Sequence, residues 1–211
     1  MRVIQTYCTF DGFKLRGGFE TPRAMIAYLK ESFKRNSTVT GYYTMFTDSW
    51  GADVLTQFIC DDMLKVIEFP VIDDRFWNVC KLQSQSLMDE PYIHVDLDAT
   101  LFELPSIDCD VITEMIRPAS VGVEASILGL NHNPNIICSG LIGFNDIDFK
   151  NSYLNAALDL IKKSGNYPVN FEMMWGVEEL LLSNMVKESG KTVFDLRKNN
   201  IKYEHLQGKR K

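Results

Sequence analysis

Tyr92-Ile93-His94-Val95-Asp96-Leu97-Asp98 is the stretch on which the reading of this chain turns. Strand alternation sends Ile93, Val95 and Leu97 to one face and His94, Asp96 and Asp98 to the other. Two carboxylates then emerge side by side at the C-terminal end of a strand, where α/β sheets place their ligands. Hard carboxylate oxygens in that position can hold Mg²⁺ or Mn²⁺, and such an ion can bridge a diphosphate. The same D-x-D also has a purely structural reading, as the cap of a strand end.

The sequence before this strand alternates in a way that supports a parallel sheet. Val3 to Thr9 is short, apolar and β-prone, and Thr21-Pro22-Arg23 opens a helix with Thr21 as N-cap and Pro22 at its first position. Met25, Ile26, Leu29 and Phe33 follow at helical spacing, and Tyr42 to Thr47 reads as a strand that stops at Asp48-Ser49-Trp50-Gly51. A helix near Ala52 to Cys60, a strand Val66 to Val71 and a helix Arg75 to Met88 continue the pattern up to Tyr92. This order predicts a mostly parallel sheet sandwiched by helices, in the α/β class.

Beyond Pro105 the pattern becomes mixed. Val111 to Ile116, Ser120 to Ala125 and Ile136 to Ile142 read as strands, with the turn Asn131-His132-Asn133-Pro134-Asn135 before the last of them. Two amphipathic helices follow, Phe149 to Lys163 and Trp175 to Val186. We expect a single domain over residues 1–211, with a nucleotide-binding half (1–105) and a mixed, acceptor-side half (106–211) built around one sheet.

Composition narrows the class. The 211 residues are 45% hydrophobic, 24% charged and 11% aromatic, which excludes fibrous and disordered proteins and allows a sizeable core. No apolar run approaches the roughly 18 residues of a membrane helix, and Met1-Arg2-Val3-Ile4-Gln5 lacks a signal peptide's apolar region, so a cytoplasmic protein without integral membrane association is expected. Cys8, Cys60, Cys80, Cys109 and Cys138 are scattered without a C-x-x-C, so they read as buried thiols. The net charge of −6 conceals basic ends: residues 1–35 carry +4 and residues 187–211 carry +5. Solvated helix faces and a frayed tail explain this; if the ends meet in the fold, they form a patch suited to phosphate.

The run His205-Leu206-Gln207-Gly208-Lys209-Arg210-Lys211 can be read as a disordered basic tail. It also supplies an imidazole ligand, a glycine permitting close backbone approach and a compact cation for phosphate oxygens. A D-x-D after an apolar strand with H-x-x-G-x-x-K near the C-terminus resembles the GT-A glycosyltransferases related to glycogenin and the bacterial lipopolysaccharide galactosyltransferases. Cys138-Ser139-Gly140 is similar to that family's N-[SA]-G segment, and Val177-Glu178-Glu179 to its [DE]-Q pair, so the likeness runs over nearly the whole chain in order.

The resemblance implies a GT-A-like domain in which Asp96, Asp98 and His205 bind Mn²⁺ or Mg²⁺, and Gly208 and Lys211 contact the donor's diphosphate. It places Lys81 as a basic residue holding the nucleotide sugar, and Tyr7, Thr9 and Asp48 beside the nucleobase and ribose. Each of these last three also has an ordinary structural reading at a strand end. Two departures stand out, Cys138 for the family's Asn and Glu179 for its Gln. A carboxylate at 179 would stabilise an oxocarbenium-like transition state or orient the acceptor hydroxyl, and Asp98 of the D-x-D is the other residue in a catalytic role; residue 179 can equally be a solvated charge at a helix start. His132 reads as exposed, His94 as a packed strand residue or a support for the metal ligands, and Trp50 as a flap over the donor.

By resemblance the activity is transfer of a sugar from a UDP-sugar to an acceptor hydroxyl, retaining configuration. The acceptor stays open between a saccharide or glycolipid and a hydroxymethylated DNA base, as in phage DNA modification, which the basic ends would serve. A nucleotide-sugar-binding module without catalysis and a D-x-D nucleotidyltransferase are the alternatives.

Overall fold

A computed structural model describes residues 1–9, 21–69, 78–106, 108–119, 128–164 and 171–205. The first half runs β1 (Arg2–Tyr7), α1 (Pro22–Val39), β2 (Tyr43–Thr47), α2 (Ser49–Leu55), a 3₁₀ turn Asp61–Met63, β3 (Leu64–Val66), α3 (Asn78–Ser86), β4 (Tyr92–Val95) and β5 (Ala99–Leu101). The second comprises β6 (Val111–Thr113), β7 (Ile116–Pro118), β8 (Asn135–Ile137), β9 (Leu141–Phe144), α4 (Ile147–Ser164), α5 (Phe171–Ser189), β10 (Val193–Asp195) and β11 (Tyr203–His205).

A seven-stranded sheet in the order β10-β6-β9-β4-β1-β2-β3 forms the middle of the molecule. β1 is parallel to β2 and β4, β2 to β3 and β10 to β6, while β9 runs antiparallel between β4 and β6. The C-terminal ends of β1, β2, β4 and β6 and the start of β9 therefore share one edge.

Both faces of the sheet are covered. Neighbouring residues divide between two apolar clusters: Ile4, Phe46, Tyr92, Val111 and Ile142 pack with α3 and α4, whereas Val3, Met45, Ile93, Ile112 and Leu141 pack on the other face with Met25 and Leu29 of α1. Period-2 alternation of large apolar residues on two covered faces is what excludes water from a parallel sheet. Gly143 of β9 is closely packed: an added Cβ would sit 2.8 Å from the Ile93 side chain, 2.8 Å from the Tyr92 carbonyl and 3.3 Å from the Ile112 Cβ. Gly143→Ala is expected to cost about 1–3 kcal/mol through overpacking, as urea denaturation would show.

Thr21 caps α1 as expected, its Oγ1 accepting from the Ala24 amide at 3.2 Å, with Pro22 at the helix start. Other boundaries differ. α2 spans Ser49–Leu55 rather than 52–60, because Asp48 accepts from the Gly51 amide at 2.6 Å and starts the helix early. The expected strand 136–142 is two strands, β8 and β9, separated by residues 138–140. The expected strand 66–71 meets the structure only at Val66, the last residue of β3, with residues 70 and 71 outside the described residues; α3 begins its described course at Asn78, and the expected strand 120–125 lies outside the described residues. The cysteines are all free, but only Cys80 and Cys138 are buried; Cys60 is exposed.

Candidate metal centre

β4 ends at Val95, and Asp96 to Ala99 form a turn closed by the Ala99 amide on the Asp96 carbonyl at 2.9 Å. Buried polar side chains brace this turn. Gln5 donates to the Asp96 carbonyl at 3.3 Å, Ser32 to the Ala99 carbonyl at 3.2 Å, and Asn36 accepts from the Leu101 amide at 2.8 Å. On its other side the Asp96 amide donates to the Gly140 carbonyl at 2.8 Å.

His205 arrives from the far end of the sequence on β11, which pairs antiparallel with β5 so that His205 lies opposite Ala99. Through residue 205, then, the chain is an ordered strand and not a frayed tail. The ligand atoms of Asp96, Asp98 and His205 all lie within 4.8 Å of one another. Two carboxylates and an imidazole form a donor set that fits Mn²⁺ or Mg²⁺, the nitrogen favouring Mn²⁺.

His205 Nε2 stands 3.3 Å from Asp98 Oδ1, and Nδ1 stands 2.7 Å from Glu114 Oε2. Burial works against charge on this ring, but hydrogen bonds to Asp98 and Glu114 outweigh it and raise its pKa to about 10. Gly140 makes room for the pairing: a Cβ there would fall 2.4 Å from His205 Cε1 and 2.7 Å from Glu114 Oε2.

Behind the carboxylates lies a buried lysine. Lys81 Nζ donates to Asp96 Oδ1 at 2.8 Å and to the Ser139 carbonyl. Burial alone would discharge it; the charges of Asp96 and Glu178 prevail and hold its pKa above the ordinary lysine value. Lys81 is thus committed to the D-x-D turn and the 138–140 segment. His94 is buried, bonded through Nε2 to Thr6 Oγ1 at 3.0 Å, and desolvation holds its pKa well below the usual histidine value, so it stands neutral.

Glu179 is 3% exposed, which excludes the reading as a solvated charge. It sits in the third turn of α5, where Arg117 donates to Oε2 at 2.5 Å and the Ser139 amide to Oε1 at 2.8 Å. Burial pushes its carboxyl up, and Arg117 opposes that shift. Arg117→Gln would leave this carboxylate buried without its main counter-charge, at a cost toward the lower end of about 3–5 kcal/mol. Adding Glu179→Gln should recover most of the loss, a double-mutant cycle readable by thermal denaturation.

Tyr7, Thr9 and Asp48 gather at the ends of β1 and β2. Asp48 Oδ2 accepts from the Thr9 amide at 2.6 Å and from its hydroxyl at 2.9 Å, while Oδ1 caps α2, so this carboxylate ties the two strand ends together. Tyr7 is buried, its hydroxyl has no hydrogen-bond partner among the described residues, and burial together with Asp48 pushes its pKa up to about 12. Trp50 is 63% exposed on α2, and His132 is exposed as expected. Gly208 and Lys211 lie outside the described residues. Glu114 and Arg117 escaped the sequence reading; the only signal for Glu114 was a charge directly after the apolar run Val111-Ile112-Thr113.

No family model matches the sequence, and no curated protein does. Among solved structures, the chain is similar to the galactosyltransferase LgtC in complex with donor and acceptor sugar analogs, with a TM-score of 0.52 and 10% identity over 92% of this chain and 73% of that one. An active-site mutant of LgtC that carries glutamate for glutamine gives a TM-score of 0.52 and 10% identity, over 92% and 72% of the two chains. The glycosyltransferase GlyE of Streptococcus pneumoniae TIGR4 is more distant, with a TM-score of 0.45 and 12% identity over 92% of this chain and 45% of that one. The first two likenesses agree with the sheet order in giving this chain a GT-A-like single-domain fold.

Proposed function

We propose that this chain is a metal-dependent glycosyltransferase that moves a sugar from a nucleoside diphosphate sugar, UDP-linked, to a saccharide or glycolipid hydroxyl with retention at the anomeric carbon. The observation that carries the reading is the meeting of Asp96, Asp98 and His205, from two distant parts of the chain, at the C-terminal edge of the sheet. LgtC, which shares the fold, is a galactosyltransferase with donor and acceptor analogs bound. UDP, retention and the cytoplasmic setting rest on the family resemblance and the sequence reading; no helix among the described residues is long and apolar enough to cross a membrane.

Asp96, Asp98 and His205 would hold Mn²⁺ or Mg²⁺, which supplies positive charge against the departing diphosphate. Lys81 aims the Asp96 carboxylate, and its charge opposes the upward push that burial gives this group; Gln5, Ser32 and Asn36 fix the turn that carries both aspartates. On the family resemblance Gly208 and Lys211 would contact the diphosphate, and Tyr7, Thr9 and Asp48 would border the nucleoside. Residues 1–105 would form the nucleotide-sugar-binding half, and 106–211 the acceptor-side half together with the C-terminal diphosphate clamp. Glu179, with both oxygens already engaged, orders the segment around Ser139 beside the reacting carbon. Much of the rate then comes from positioning the two substrates.

Incubation with UDP-glucose, UDP-galactose or UDP-arabinose and Mn²⁺, with neutral oligosaccharides in one arm and hydroxymethylcytosine duplex DNA in another, tests the proposal. UDP release without pyrophosphate, coupled to a glycosylated oligosaccharide, is the expected result. Pyrophosphate release would mean nucleotidyl transfer, donor binding without turnover a binding module, and glycosylated DNA a nucleic-acid acceptor.

A further inference from the structure

We propose that Glu114 is a positioning residue that sets His205 for metal binding, an inference that rests on reading Asp96, Asp98 and His205 as the metal centre. His205 is borne by a ladder of only three residue pairs, Tyr203 with Leu101, Glu204 with Thr100 and His205 with Ala99. So short a ladder places the backbone but does not fix the ring, which needs a partner from elsewhere in the fold.

Glu114 is that partner. It is 2% exposed and follows β6 directly at the C-terminal edge of the sheet. Its backbone is pinned on both sides: the amide donates to the Leu141 carbonyl at 2.9 Å, and the carbonyl accepts from the Arg197 amide at 3.1 Å. The carboxylate therefore has a fixed origin. Its Oε2 receives His205 Nδ1 at 2.7 Å and the Cys138 thiol at 3.3 Å. Burial pushes the Cys138 thiol up, with the charges of Glu179 and Glu114 adding to the shift, so the sulfur keeps its proton and acts as a donor.

Held 2.7 Å from Oε2, Nδ1 is the nitrogen that the Glu114 carboxylate engages as a hydrogen-bond donor. The other nitrogen, Nε2, is the one that faces Asp98. A metal-ligating histidine needs this division of roles, with one nitrogen held by an outer carboxylate and the other turned to the metal. Gly140 contributes by absence of a side chain, since a Cβ would strike both His205 and Glu114. Glu114 is correspondingly expected to set the affinity of the site for metal before any donor arrives.

The test uses the full chain with Mn²⁺ alone, its affinity measured by calorimetry and its ligands by pulsed electron paramagnetic resonance, which detects nitrogen coupled to the ion. Wild type is expected to bind one Mn²⁺ with imidazole nitrogen coupling, and His205→Ala to lose that coupling. Glu114→Ala should weaken Mn²⁺ binding by about 10–100-fold and change the coupling. Glu114→Gln, which keeps an oxygen acceptor in the same volume, should fall between the two and carries the test if the alanine variant does not fold. Melting temperatures monitor folding, and a role confined to stability would lower them with no change in the nitrogen coupling of the folded protein. Both Glu114 variants binding Mn²⁺ within twofold of wild type with the same coupling would overturn the inference and leave the metal centre standing. Absence of nitrogen coupling in wild type would overturn both.

Discussion

Asp98→Asn is expected to give a folded protein without detectable Mn²⁺ binding or metal-dependent turnover, whereas Asp96→Asn should lose the metal and much of its stability as well. The difference lies in what stands behind each carboxylate. Asp98 faces His205, which keeps Glu114 as a partner when Asp98 is neutralised, so the loss is that of one charged hydrogen bond, toward the lower end of about 1.5–3 kcal/mol. Asp96 is the counter-ion of Lys81, a lysine 4% exposed. Removing its charge deprives a buried ammonium of its largest counter-charge and costs about 3 kcal/mol, softened by the Ser139 carbonyl and the charge of Glu178. Urea denaturation beside Mn²⁺ titration separates the two effects. Equal stability of the variants would show that Lys81 does not depend on Asp96.

Gly140→Ala is the second large effect, and it should fall on the site more than on the fold. The atoms within 3 Å of the added Cβ belong to the His205 ring and the Glu114 carboxylate. Both are side-chain ends, so the protein can relax by moving them, at about 1–3 kcal/mol. Moving them separates the imidazole from Asp98. The variant is thus expected to keep its circular dichroism spectrum while losing most Mn²⁺ affinity and donor turnover; wild-type affinity would mean that the ring can be accommodated elsewhere.

What the sequence disclosed follows from how locally each feature is encoded. The strand Tyr92–Val95 and its two aspartates, the capped start of α1 and the alternating first half depend on nearest-neighbour patterns, and these stand in the structure. The halves of the second part were harder to read, because strands of three residues such as β6, β7 and β8 are too short to show a period. The continuous apolar run from 136 to 142 concealed a break at Ser139-Gly140, whose reason is tertiary: Ser139 is bonded to Lys81 and Glu179, and Gly140 must clear His205.

The same holds for the charges. The C-terminal run marked His205 as a candidate ligand, but its meeting with the D-x-D was legible only by resemblance, since its pairing with Ala99 spans the fold. Beyond the charge of Glu114 after an apolar run, Glu114 and Arg117 carried no local mark of their roles, because each acquires its partner from a residue far away in sequence, His205 for one and Glu179 for the other. Glu179 invited a catalytic reading as a carboxylate in place of an amide; its burial and its two partners are consequences of α5 packing against the 138–140 segment, which no spacing rule contains.

Calorimetric titration of UDP into the full chain, with Mn²⁺ and then with a chelator, tests the central claim most directly. A metal centre for a nucleoside diphosphate predicts one UDP site that is present with Mn²⁺, is lost on chelation, and is missing from Asp98→Asn under either condition. UDP binding of equal strength with and without Mn²⁺, or unchanged binding in Asp98→Asn, would contradict it.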